Sequence, residues 1–508
     1  MRGAAGAGPG GGPVSRVVIV GNGMAGARLA EELRRRERDP ARLGIVVFGA
    51  EPRAAYNRIL LSNVLAGSIT ARDTRLRPDD WWVRNHVDVR TGVRVTGIDT
   101  ATRTVCGDDG TTLGYDELVF ATGSVPFVPR IEGMAADDSD VVAFRTVEDC
   151  ARIAQAAGPG CRAVVLGGGL LGLEAARGLL LRGADVTVVH PRAVPMERQL
   201  DEGGGRVLTR VLTSLGMRVV LERRAVALRR NASGRALVLD DGTELPADIV
   251  VLTAGIRPAT ELAPAVGATV EHGIVVDDAL RTDVPHVWAI GECAQHRGEV
   301  YGLVQPGWEQ AEVVADRITG ADATAEYHGT PPVTRLKAHD IDLASMGDVS
   351  ADLHDGEYEV LTVADPARGR YAKLVVADGR IAGAVLLGCP DTVGTVTQLF
   401  DAKLPVPQDR MSLLTGRTGA AAETASPAGM PGGAVICRCN SVTKAHLTGA
   451  WRAGARSVGA LATATRATTG CGGCSSAVEG ICDWLRTTDP RNEHDEDTTQ
   501  RARKEGAA

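Results

Sequence analysis

The sequence predicts an α/β fold of several domains, and three observations predict it. Two loops of the form G-x-G-x-x-G, Gly21 to Gly26 and Gly167 to Gly172, each follow a β-branched or aliphatic run and open a helical stretch. Two further apolar runs, Tyr115 to Ser124 and Val287 to Glu292, end in small or acidic residues. Near the C-terminus four cysteines fall as Cys437-Arg-Cys439, a spacer of 31 residues, and Cys471-Gly-Gly-Cys474. The first two predict a pair of Rossmann-like dinucleotide-binding domains, and the third a small module held by thiolates.

Length and composition bound the rest. A chain of 508 residues with 44% hydrophobic content has room for several cores. Ten cysteines, four of them in one short segment, suit metal thiolates in a reducing compartment better than a disulfide scaffold. Met1 to Pro13 lacks the apolar core of a signal peptide and reads as a disordered lead. No run of about 18 apolar residues is present, so a membrane span is not expected and the expected location is cytoplasmic. A net charge of −7 without a basic stripe argues against a nucleic-acid partner. The local exception is 434–485, where Arg438, Lys444, Arg452, Arg456 and Arg466 stand against Glu479 and Asp483.

In the first loop, Arg16 to Val20 is the strand and Gly21 makes the tight turn. Gly23, followed by Met24 and Ala25, lets backbone N–H groups approach a pyrophosphate, and Gly26 lets the helix 27–36 lie close. A second strand, Gly44 to Phe48, ends near Glu51, an acid placed to accept from a ribose hydroxyl. The spacing alone also fits an ordinary turn; strand, helix and acid in register read as a dinucleotide site. The arrangement recurs at Arg162 to Leu166, with Gly167, Gly169, Leu171 and Gly172, then a strand at Asp185 to Val189. Here His190 and Arg192 stand where an acid is expected, and Arg192 suits a 2′-phosphate, which leaves NADH against NADPH open. Glu174, early in the second helix, is placed to position a nicotinamide and reads equally well as a helix-surface acid.

The order of the four motifs, with Ala121-Thr122-Gly123-Ser124 and Gly291-Glu292 after their respective loops, resembles the two-dinucleotide-binding-domain flavoproteins of the pyridine nucleotide-disulfide oxidoreductase type. The resemblance covers Val14 to Tyr327. It implies FAD on the first loop, on Ala121, Thr122 and Gly123 and on the Gly-acid motif, with NAD(P)H on the second loop. The family usually has Asp where this chain has Glu292. The first cysteine is Cys106 and the next Cys150, so no early dithiol pair is present to take electrons from flavin.

Phe48 to Ser62, containing Glu51, Asn57 and Arg58, looks like the FAD half of assimilatory NAD(P)H nitrite reductase large subunits, as do His190 to Asp201 and Gly291 to Leu303. Rubredoxin reductases carry Lys one residue after the Leu-Ser of this loop, where Asn63 stands here. Thr334 to Ile341 and the strands after it resemble the small C-terminal domain of the same reductases, which implies a cover over the flavin and homodimer contacts. Lys337 is a candidate to approach the flavin and reads equally well as a strand-edge lysine.

Leu413 to Gly433 is Gly/Ala/Thr/Pro-rich without a periodic apolar face and reads as a linker. Thiolates at the four-cysteine spacing suit iron–sulfur and zinc alike. Thr469-Gly-Cys-Gly-Gly-Cys474 resembles the bacterioferritin-associated-ferredoxin-like module, which implies one [2Fe–2S] cluster on Cys437, Cys439, Cys471 and Cys474. Val458 to Thr465 reads as a short helix. Cysteines 106, 150, 161, 293, 389 and 482 read as buried small hydrophobes, and 486–508 as a solvated tail.

The expected organisation is a lead over 1–13, FAD-binding parts over 14–145 and 273–330, an NAD(P)H-binding part over 146–272, a small reductase domain over 331–408, a linker over 409–433, a [2Fe–2S] module over 434–485 and a tail over 486–508. The resemblance implies hydride transfer from NAD(P)H to flavin, single-electron steps to the cluster, and delivery to a protein acceptor. The resemblance implies that this acceptor is the catalytic subunit of an assimilatory nitrate or nitrite reductase, and without a sirohaem half the chain is not expected to reduce nitrite alone. The alternatives are a rubredoxin or ferredoxin reductase, the flavin subunit of an amino-acid-oxidising complex, and a non-enzymatic iron–sulfur redox sensor.

Overall fold

The computed structural model describes residues 15–135, 138–231, 234–336, 338–352, 356–416, 427–440, 442–469 and 474–489. It divides into two compact units, 1–377 with 382–389, and 378–381 with 390–508. The expected lead, most of the tail, Lys337 and Cys471 lie outside the described residues, and nothing is described of the Cys439 side chain.

In the first unit, a five-stranded parallel sheet runs in the spatial order Val287–Ala289, Glu117–Phe120, Ser15–Val20, Leu43–Gly49, Val87–Thr91. Val17, Val18 and Ile19 are fully buried, as a continuous apolar run covered on both faces requires. The last strand in sequence returns to pair with Glu117–Phe120, so the intervening nucleotide-binding part is an insertion in the first domain. That insertion forms its own parallel sheet, ordered Arg218–Leu221, Asp185–His190, Arg162–Leu166, Ile249–Leu252, Val141–Ala143. In both sheets the strand leading into the glycine loop is central, with crossovers leaving in opposite directions. Its carboxyl end is where such sheets bind ligands.

A third five-stranded sheet, drawn almost wholly from the first unit, is ordered Val333–Leu336, Leu343–Gly347, Arg380–Leu387, Arg370–Ala377, Glu359–Asp365. An ion pair between a buried lysine and a partly exposed aspartate ties it to the second nucleotide domain. Asp201 caps the helix Glu202–Ser214 through the Gly204 N–H at 3.0 Å, and its other oxygen accepts from the Tyr371 hydroxyl at 2.6 Å and meets Lys373 Nζ at 3.1 Å.

The second unit starts its main run at Pro390, inside the span expected for the small reductase domain. Within the expected linker, Met411–Thr415 is a short helix whose Leu413 and Leu414 are buried. The cysteine segment has a ribbon, Val435–Cys437 with Val442–Thr443, and helices Lys444–Arg452, Val458–Thr465 and Ser475–Thr488. The helices close on Leu447, Trp451, Leu461, Val478, Ile481 and Leu485. Thr443 and Ser457 cap two of them with their hydroxyls. The last helix reaches Thr488, so 486–488 is helical where a tail was expected. Part of the basic surplus of the segment is met by acids outside its expected bounds: Arg438 pairs with Asp401 and Arg452 with Asp489.

Candidate functional site

The two glycine loops are built alike. At Gly21 (φ +123°) and Gly167 (φ +126°) an added Cβ would lie 2.1 Å from the Ala121 carbonyl oxygen and 2.4 Å from that of Thr253, so only glycine fits either turn. At Gly26 and Gly172 it would lie 2.0 and 1.9 Å from the loop's own first carbonyl oxygen. At Gly23 and Gly169 it would meet nothing within 4 Å. The open middle position is where a pyrophosphate needs room to reach backbone N–H groups.

One cavity of about 790 Å³ joins parts of both domains. Gly21, Gly23, Met24 and Ala25 line it from the first loop, and Leu170, Leu171 and Glu174 from the start of the second helix. Ala121, Thr122 and Gly123 form another wall, and Gly291 and Glu292 a third. Glu51 and Arg58 also line it, whereas Asn57 does not: its side chain caps the short turn Arg58–Leu60 through the Ile59 N–H at 3.0 Å.

A charged network runs along the cavity. The Glu51 carboxylate accepts from the Tyr56 hydroxyl at 2.7 Å and from Arg58. Burial raises the Tyr56 phenol well above its ordinary value, with Arg58 opposing and Glu51 reinforcing, so the phenol stays a donor. Arg58 also donates to the Arg145 carbonyl at 2.9 Å. Arg145 in turn pairs with Glu292, which accepts from the Ser124 hydroxyl at 2.7 Å. Arg145 had no motif to mark it in the sequence; its cue is proximity in space to the Gly-acid motif.

The fourth wall was also missed. Leu303 and Val304, where the helix Val304–Thr319 begins, line the cavity, so the positive end of the helix dipole faces it. Buried Gln310 of this helix accepts the Gly291 N–H at 2.7 Å.

At the second loop, His190 is buried beneath the glycines and its Nδ1 accepts the Gly168 N–H at 3.0 Å. Its Nε2 is 3.1 Å from Glu197, and the largely exposed Arg192 is 4.0 Å from the other Glu197 oxygen. An acid therefore does sit beside the strand end, supplied from seven residues downstream of His190.

Among the thiols, Cys293 is fully buried and donates to the Ile290 carbonyl at 3.2 Å, and burial raises its pKa. Cys150 and Cys482 are buried too, but Cys106, Cys161 and Cys389 are partly exposed, contrary to the expectation that all six are core residues. In the cysteine module, Cys437 Sγ accepts from Asn440 Nδ2 at 3.7 Å and Cys474 Sγ from the Thr468 N–H at 3.3 Å.

A family model described as pyridine nucleotide-disulphide oxidoreductase matches 15–314, one described as rubredoxin NAD+ reductase C-terminal domain matches 332–395, and one described as BFD-like [2Fe-2S] binding domain matches 435–484. A Bacillus subtilis protein named nitrite reductase [NAD(P)H] is 39% identical over 92% of this chain and 57% of its own length. Another from that organism, named assimilatory nitrate reductase electron transfer subunit, is 38% identical over 93% and 60%. The chain thus spans less than two thirds of either relative. Among solved structures, the putidaredoxin reductase–putidaredoxin complex superposes with a TM-score of 0.72 at 25% identity, over 82% of this chain and 99% of that one.

The matched families imply FAD, NAD(P)H and a [2Fe–2S] cluster, and the residues present fit all three. The Asn22 Oδ1 and Arg145 Nε atoms are buried without a partner at the cavity, the middle glycines are open, and both described module thiols receive N–H groups. On the matched residues and this geometry, the chain belongs to the pyridine nucleotide-disulphide oxidoreductase family, as a flavin reductase with an added [2Fe–2S] domain.

Proposed function

We propose that this chain is the NAD(P)H-oxidising, electron-delivering subunit of an assimilatory nitrate or nitrite reductase. The observation that carries the reading is the cavity lined at once by the first glycine loop and by the helix start of the second, in a chain that also holds a thiolate module. Such a cavity lets two dinucleotides meet by their reactive rings with water excluded. FAD, when bound, takes a hydride from NAD(P)H and gives electrons up singly, and a [2Fe–2S] cluster carries them one at a time.

In this reading Gly23 and Gly169 admit the two pyrophosphates. Glu51, pre-oriented by Tyr56 and Arg58, accepts from the FAD ribose. Glu292 and Arg145 hold the ribityl chain, the longer Glu side chain keeping both Ser124 and Arg145 in reach. Glu174 positions the nicotinamide, and Arg192 serves a 2′-phosphate where the nucleotide carries one. Cys437, Cys439, Cys471 and Cys474 ligate the cluster, and the small reductase domain carries a homodimer contact.

The names of the two Bacillus subtilis relatives support this choice of acceptor. The test is reconstitution: the purified chain should hold FAD and a diiron cluster, be reduced by NADH or NADPH, and reduce a purified assimilatory nitrate or nitrite reductase catalytic subunit. Zinc in place of iron, or reduction of dyes with none of either subunit, would remove the reading.

A further inference from the structure

Asn440 directly follows the first cysteine pair and is 7% exposed. Its amide nitrogen lies 2.6 Å from the Arg466 carbonyl oxygen, 3.3 Å from Thr469 Oγ1 and 3.7 Å from Cys437 Sγ. The Thr469 hydroxyl spends its own hydrogen on the Arg466 carbonyl at 2.8 Å, so all three neighbours present acceptors. That sets the orientation of the amide, because the flipped form would turn Oδ1 toward a thiolate and a carbonyl. Oδ1 is buried without a partner, so the side chain is held from its donor side alone.

The loop that Asn440 grips also serves the second cysteine pair. Arg466 and Thr468 have φ of +66° and +67°, a conformation that is costly for a β-branched threonine. In it the Thr468 N–H points at Cys474 Sγ, 3.3 Å away. One side chain thus donates to one sulfur and tethers the loop that donates to another.

We infer that Asn440 is a positioning residue that raises the reduction potential of the [2Fe–2S] cluster. N–H donors to sulfur stabilise negative charge, and they stabilise the reduced cluster, which holds one electron more, to a greater extent. No bond is made or broken in that step; one electron is added. The inference rests on the cluster assignment above.

The experiment is an EPR-monitored redox titration of the full chain and of Asn440→Leu, with iron content measured on both. At the wild-type midpoint the variant should show at least a tenfold higher oxidised-to-reduced ratio, a shift of 59 mV to lower potential for a one-electron couple. An unchanged midpoint in an iron-loaded variant would overturn the inference, as expected if Asn440 only braces the loop. Should the variant lose its cluster, the wild-type chain labelled with side-chain ¹⁵N-asparagine decides. Asn440 is the sole asparagine within 434–485, and pulsed EPR of the reduced cluster should show a ¹⁵N coupling; its absence overturns the inference. Wild-type protein lacking iron would instead contradict the cluster assignment itself.

Discussion

Arg145 and Glu292, 147 residues apart in sequence, form an ion pair in the cavity wall with Ser124 bonded to both. Both side chains are about one-fifth exposed, at 19% and 21%. At that burial the loss of one partner leaves a charge only partly served by water. Arg145→Met should therefore weaken FAD binding by about 10- to 100-fold, equivalent to about 1.4 to 2.8 kcal/mol. Titrating FAD into the deflavinated full chain measures it, and equal affinities would place the pair outside the flavin site.

Glu197 faces both His190 and Arg192 at the end of the second nucleotide-binding strand, so its charge should bear on nucleotide choice. Glu197→Gln removes the negative charge next to a 2′-phosphate site and leaves Arg192 unneutralised. The KM for NADPH should fall relative to that for NADH by several-fold, while Arg192→Glu should move the ratio the other way. If both variants change the two nucleotides equally, the strand end does not read the 2′ position.

Lys373 is 3% exposed and donates to the Val349 carbonyl at 2.8 Å while meeting Asp201. Lys373→Met leaves the Asp201 carboxylate with Tyr371 and the Gly204 N–H but no cation, and should cost about 3 kcal/mol of stability. Thermal unfolding of the FAD-loaded protein should show the loss as a lower Tm. A Tm unchanged from wild type would mean that water or a shifted neighbour satisfies Asp201.

Burial, reinforced by Asp149, pushes the Cys150 thiol up to about 12. Its thiolate fraction at pH 8 is then about one part in ten thousand, and burial raises Cys293 as well. Iodoacetamide at pH 8 should label Cys106, Cys161 and Cys389 before either. As pH rises toward 12 the Cys150 thiolate fraction grows tenfold per unit, so any early labelling of Cys150 at pH 8, read by peptide mass spectrometry, would contradict its burial.

The glycine loops were legible because their constraint is local. A tight turn, an open middle residue and a close helix fall within six consecutive positions, and any Cβ at Gly21 or Gly26 collides with backbone. The strands around them were legible for a similar reason, as continuous Val/Ile/Leu runs. Arg145 was not, because it reaches Glu292 through the fold. Glu197 was hidden by a loop that doubles back on the strand end, and Asn440 by a contact with Arg466 across 26 residues. The short helix Met411–Thr415 escaped because two leucines amid glycine and threonine make no periodic face.

Electrons entering as hydride should leave through the thiolate module. Cys474→Ser in the full chain tests it, with bound FAD quantified and two NAD(P)H-dependent rates compared: reduction of ferricyanide, which can take electrons from flavin directly, and of a purified assimilatory nitrate or nitrite reductase catalytic subunit. FAD content and ferricyanide reduction should stay near wild type, with transfer to the catalytic subunit reduced at least 100-fold. An unchanged ratio of the two rates would contradict that route.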